Sequence, residues 1–129
     1  MRSILLIDDD LELLRQMATV FRAAGYVVGA APDGHAGLAR FIAEPSDVVV
    51  TDIIMPNREG IETIVALKKA NPAVKVVAIS GGYKVGPQAF LDLARAVGAD
   101  GAIAKPFRLA ELLDLVAKLL PSYAAAGAA

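Results

Sequence analysis

Short runs of β-branched and aliphatic residues recur along the chain, and each is followed by a segment whose apolar residues fall three and four apart. That alternation is the pattern of a parallel sheet built from β/α repeats. Ile4–Ile7 is the first run, apolar throughout, as a strand covered on both faces should be. Val27–Ala31 reads as a weaker second strand, Val48–Thr51 as the third and most hydrophobic, Val74–Ser80 as the fourth and Gly101–Ala104 as the fifth.

The segments between them carry helical stripes and stop signals. Leu11, Leu14, Ala18 and Phe21 share one stripe that ends at Gly25, a predicted C-terminal cap. Pro32-Asp33-Gly34 is turn chemistry ahead of a short helix over Ala36–Ala43, which ends before Pro45. A third helix over Ile61–Ala70 is closed by Asn71-Pro72, and Phe90, Leu93, Ala94 and Val97 mark a fourth after a glycine-rich loop. Leu109, Leu112, Leu113, Val116, Leu119 and Leu120 give the fifth helix an amphipathic stripe that Pro121 ends. Five repeats joined by right-handed crossovers predict an α/β fold, an open doubly wound five-stranded parallel sheet with five helices. With 129 residues, 56% of them hydrophobic, the chain suits one domain, expected over 1–121. The Ala-rich stretch 122–129 is expected to be a flexible tail or the start of a linker.

Charge and residue usage narrow the function classes. The formal charge is −1 and no Lys/Arg run is interleaved with aromatics, so direct nucleic-acid binding is not expected. The chain has no cysteine, which excludes disulfides, thiolate metal sites and thiol catalysis. The apolar run at the N-terminus is too short for a signal peptide, and none approaches the roughly 20 residues needed to span a bilayer. A cytoplasmic protein without a membrane partner is expected.

In a doubly wound sheet, ligands bind beyond the carboxyl ends of the strands at the switch point. Four of the five predicted strands end in reactive chemistry: Asp8 and Asp9 after the first, Asp52 after the third, Ser80 at the fourth and Lys105 after the fifth. With strand order 2-1-3-4-5 the first and third strands are neighbours, so Asp8, Asp9 and Asp52 converge. Carboxylates that close raise one another's pKa unless a cation intervenes, and Lys105 alone leaves the group negative. Oxygen-only ligands in small number suit Mg²⁺, which keeps waters and binds phosphate oxygens. An aspartate in such a setting can act as a nucleophile and form an acyl phosphate, with Lys105 and Ser80 stabilising the transferring group.

Ile7-Asp8-Asp9-Asp10, Thr51-Asp52-Ile53-Ile54-Met55-Pro56 with Gly60, Ala78-Ile79-Ser80 and Lys105-Pro106-Phe107 occur in this order. Together they resemble the four signatures of response-regulator receiver domains of two-component signalling, chemotaxis-regulator-like and single-domain. The resemblance runs from Ser3 to about Leu120, and it implies a flavodoxin-like sheet of order 2-1-3-4-5. It further implies that Asp52 is the phospho-acceptor. Mg²⁺ would be held by Asp9, Asp52 and the backbone carbonyl of Ile54, with Asp8 acting largely through metal-bound water. Ser80 would be the switch hydroxyl and Lys105 the phosphoryl contact, and a cis peptide at Pro106 would help aim Lys105 inward. The implied partners are a histidine kinase or histidine phosphotransfer protein upstream and an unspecified protein target downstream. The implied switch is of a protein-interaction surface, with catalysis limited to the domain's own phosphorylation and dephosphorylation.

Plainer roles compete for several of these residues. Asp10 is expected to be an N-cap, a common use of acids at a strand-to-helix junction. Lys105 without its companions would be an ordinary snorkelling lysine, and Ser80 could simply cap a turn. The single histidine, His35, is expected to be a solvated surface residue far from the acidic edge, and Met55 and Phe107 to be packing residues. Gly81-Gly82 completes no nucleotide-binding motif.

The chain also departs from the family. Ile54 and Gly82 occupy positions that tune phosphoryl lifetime, and Ala102 stands where most receivers have a switching Tyr or Phe. Tyr83, in the glycine-rich loop after Ser80, is a candidate substitute for that ring, with the loop ordering on phosphorylation. Two other readings remain open at this point. A degenerate receiver would be a phosphorylation-independent interaction module. An aspartyl phosphohydrolase would usually need a second aspartate where Ile54 stands, which disfavours it.

Overall fold

The computed structural model describes residues 2–53, 59–80 and 87–120, apart from the side chains of 59 and 87–91. Strands and helices alternate as β1 (Ser3–Ile7), α1 (Leu11–Ala23), β2 (Val27–Ala31), α2 (Gly34–Ala43), β3 (Val48–Asp52), α3 (Glu59–Ala70), β4 (Lys75–Ser80), α4 (Pro87–Ala96), β5 (Gly101–Ala104) and α5 (Leu109–Leu119). The strands form one parallel sheet in the order β2-β1-β3-β4-β5. The expected fold is therefore the observed one. No helix among the described residues is long and apolar enough to cross a membrane.

Alternation along each strand divides the interior into two layers. Ile4, Leu6, Val48, Val50, Val77 and Ile79 face Leu14, Met17 and Phe21 of α1 and Leu112 and Val116 of α5. Leu5, Ile7, Val49, Val76 and Ala78 face the other way, against Phe41 of α2, Ile64 and Leu67 of α3 and Ala94 of α4. The central strands are thus covered on both sides, which is why they read as continuous apolar runs.

Helix ends follow the sequence signals closely. Asp33 caps α2 by accepting from the Ala36 amide at 2.7 Å, which starts the helix at Gly34, two residues before the periodicity alone suggests. Gly25 adopts φ +97° after α1, the Gly25 and Tyr26 amides donate to the Arg22 and Phe21 carbonyls, and the Phe21 and Tyr26 rings meet edge-on at 5.2 Å. This is a Schellman closure with its hydrophobic contact, and it needs the left-handed conformation that glycine provides.

Two stripe positions differ from expectation. Leu11 is 61% exposed, and Met17 takes its place among the buried residues of α1. The first turn of α1 begins past the carboxyl end of β1, so Leu11 has no sheet beneath it. Leu93 is also exposed, while the smaller Ala94 is fully buried and lets α4 approach the sheet.

Candidate functional site

Register carries the acids together. Ile7 pairs with Thr51 across β1 and β3, so Asp8 and Asp52 leave the sheet side by side. Ser80 pairs with Ala104 across β4 and β5, and the Lys105 amide donates to the Ser80 carbonyl at 2.7 Å. Asp8, Asp52 and Ser80 are buried, whereas Asp9, adjacent to Asp8, is exposed. One oxygen from each of Asp8, Asp9 and Asp52 lies within 4.8 Å of the others.

Lys105 reaches across this group. Its Nζ donates to Asp52 Oδ2 at 2.9 Å and lies 3.7 Å from Asp8 Oδ2. Burial works to lower the pKa of the ammonium, but the hydrogen bond to Asp52 and the charges of Asp52 and Asp8 outweigh it, and the net shift is upward. Asp8 responds oppositely. Burial raises its carboxyl to about 6, aided by the charges of Asp52 and Asp9 and opposed by the Asp10 amide and by Lys105. Asp8 Oδ1 accepts from the Asp10 amide at 2.8 Å, while Oδ2 has no hydrogen-bond partner among the described residues. The Ser80 hydroxyl is also without one.

A buried carboxylate oxygen left without a donor, beside two further carboxylates and an incompletely compensating lysine, suits a hard cation. An all-oxygen donor set of this size fits Mg²⁺.

Asp10 is the N-cap of α1, accepting from the Leu13 amide at 3.1 Å, as expected. The Lys105–Pro106 peptide is cis, and Phe107 packs against the α1/α5 side of the core. His35 is exposed at the start of α2. Ala102 is half-buried, packed against the α2–α4 side with no ring to turn. Ile54, Met55, Gly82 and Tyr83 lie outside the described residues.

Sequence reasoning gave no role to two residues that touch the Asp52 backbone. Thr51 is fully buried, and its Oγ1 donates to the Asp52 carbonyl at 3.2 Å. Gly60, in the first turn of α3, lies so close that an added Cβ would overlap Ile53 Cα and fall 2.6 Å from the Asp52 carbonyl oxygen. The sequence places Gly60 in the signature around Asp52 and ahead of the third helix, which starts at Glu59 and so includes it, but gives no sign of this contact.

A doubly wound sheet of this order, with acids and a lysine at its carboxyl edge, defines the receiver class. The response regulator receiver domain model matches residues 4–117, and the chain belongs to that family. It is 31% identical over 120 residues to the response regulator receiver protein CpdR of Brucella abortus, covering 93% of this chain and 98% of that protein. It is also 31% identical over 121 residues to the chemotaxis protein CheY of Thermotoga maritima, covering 91% of this chain and 98% of that one. The response regulator TrrA of Thermotoga maritima, solved in complex with Mg(2+)-BeF, superposes with a TM-score of 0.80 at 28% identity over 93% of this chain and 100% of that one. Of other relatives it matches, the chain spans about half the length, 49%.

Proposed function

We propose that this receiver domain takes a phosphoryl group from a phosphohistidine donor onto Asp52, and that the acyl phosphate switches a surface for a protein partner. The observation that carries this is Asp52 itself, 3% exposed, between two further carboxylates and the Lys105 ammonium. A carboxylate kept there at the end of a buried strand is costly unless its charge is used.

In the transfer, an Asp52 carboxylate oxygen forms a bond to phosphorus as the P–N bond of the donor breaks. The bonding pair leaves with the imidazole. Lys105, already hydrogen-bonded to Asp52 Oδ2, is placed to follow the charge onto the phosphoryl oxygens. The Ser80 hydroxyl, buried at the neighbouring strand end, supplies a further donor. Asp8, Asp9 and Asp52, with the Ile54 carbonyl, would hold Mg²⁺. When bound, that ion neutralises the acid cluster and polarises the phosphoryl oxygens. The donor is a histidine kinase or a histidine phosphotransfer protein. Ile54 stands where an aspartyl phosphohydrolase usually carries its second aspartate, which favours a chemistry confined to the domain's own aspartate.

Intact mass after incubation with Mg²⁺ and a small acyl phosphate tests the proposal. One phosphate adduct in the wild type, absent in Asp52→Asn, is expected. No adduct with any donor would instead favour a phosphorylation-independent interaction module, the reading that the missing ring at Ala102 leaves in play.

A further inference from the structure

The acceptor's side chain is held by Lys105, but its backbone is held by residues with no place in the phosphoryl chemistry. The Asp52–Ile53 peptide is engaged on each of its polar atoms. The Ile53 amide donates to the Ile79 carbonyl at 3.0 Å, and the Asp52 carbonyl accepts from Thr51 Oγ1 at 3.2 Å. Gly60 closes a further side, because the first turn of α3 rests on this peptide with no room for a Cβ.

We infer that Thr51 and Gly60 are positioning residues for phosphoryl transfer, fixing the Asp52–Ile53 peptide so that the Asp52 carboxylate stays aligned with Lys105 and Asp8. This rests on Asp52 being the acceptor. Thr51 is buried between Ile7 of β1 and Ala78 of β4 in register, so its hydroxyl has no water to turn to. Spending it on the Asp52 carbonyl fixes the last peptide of β3, where the sheet ladder gives way to a turn. Gly60 acts by omission. Alanine is the better helix former, yet a methyl here collides with backbone at Ile53 rather than with the yielding end of a side chain. Either α3 moves or the Asp52 peptide does. A displacement of about 1 Å at a reacting group can cost on the order of 100-fold in rate.

Three variants test this: Thr51→Val, which keeps the shape and removes the hydroxyl, Thr51→Ser, which keeps the hydroxyl, and Gly60→Ala. Adduct formation at Asp52 from a small acyl phosphate with Mg²⁺ is timed, alongside thermal unfolding and amide exchange at Ile53 in the unphosphorylated protein. Thr51→Val is expected to stay folded and unfold within a few degrees of the wild type, the loss of one hydrogen bond being modest, yet to form adduct roughly tenfold more slowly and to lose protection at Ile53. Thr51→Ser should restore most of the rate, and Gly60→Ala should lose more than Thr51→Val. Wild-type rates in Thr51→Val, or unchanged Ile53 exchange in both Thr51→Val and Gly60→Ala, overturn the inference. Should Gly60→Ala fail to fold, the valine and serine pair decides alone. Should the wild type take no phosphate, the acceptor reading fails, and the Ile53 exchange still decides whether the peptide is held.

Discussion

The Lys105 ammonium donates to Asp52 Oδ2 across 2.9 Å, although the two residues stand 53 positions apart. Its charge also reaches Asp8, so one cation answers two buried carboxylates. Under the proposed function, the shared lysine would make metal binding and phosphoryl chemistry separable. We predict that Lys105→Met tightens Mg²⁺ binding by roughly threefold to tenfold, because ammonium and metal compete for the same oxygens. The same change should slow adduct formation at Asp52 by about 100-fold. Metal titration and timed intact mass on one sample read both effects, and loss of the two together would contradict the competition.

Asp8 sets a pH dependence whose sign is opposite to that of a salt-bridged acid. Its pKa is raised from 3.8 to about 6 in the metal-free fold, so between those values the folded chain binds more protons than the unfolded one. Metal-free stability from this group should therefore fall as pH rises from about 4 to 6 and stay low above. The total is about 3 kcal/mol. Asp8→Asn should remove that slope and unfold later than the wild type at pH 8 without metal. Mg²⁺ should restore stability to the wild type at pH 8 and do little at pH 5. Urea unfolding across this range checks each arm.

Asp9 and Asp10 are consecutive acids with different work. Asp10→Ala should cost about 1 kcal/mol by removing the cap on α1, with Mg²⁺ affinity kept. Asp9→Asn should leave stability within about 0.5 kcal/mol, since the side chain is exposed. It should weaken Mg²⁺ by about tenfold or more. Equal metal affinities in the two variants would count against Asp9 as a ligand.

Gly37 seats α2 on β1, where an added Cβ would overlap Ile7 Cδ1. We predict that Gly37→Ala destabilises by about 1–3 kcal/mol despite its better helix propensity. Adding Ile7→Val removes the colliding methyl and should recover part of that loss, giving a favourable coupling in a double-mutant cycle. Purely additive losses would mean that the obstruction lies elsewhere.

The element order and the positions of the stop signals were legible in the chain, because strands covered on both faces must be apolar throughout and helix ends need particular residues. Gly25, Asp33 and Asp10 behave as their local chemistry demands. Asp8, Asp9, Asp52, Ser80 and Lys105 were identifiable as strand-end residues for the same reason: the sheet's edge is where a run of apolar residues gives out.

What pairing and packing decide was hidden from that local pattern. The acid run marks Asp10 as a cap, but nothing in it says that Asp8 is buried with a raised pKa while Asp9 faces solvent. Those differences come from where β1 ends relative to β2 and β3. Met17 displaces Leu11 from the core because only the assembled sheet fixes where cover begins. The fit of Thr51 and Gly60 against the Asp52–Ile53 peptide is likewise a matter of tertiary contact. Local periodicity and capping thus specify the elements and the edge. The distances that make Asp8, Asp52 and Lys105 one electrostatic group exist only once parallel strands far apart in sequence lie side by side.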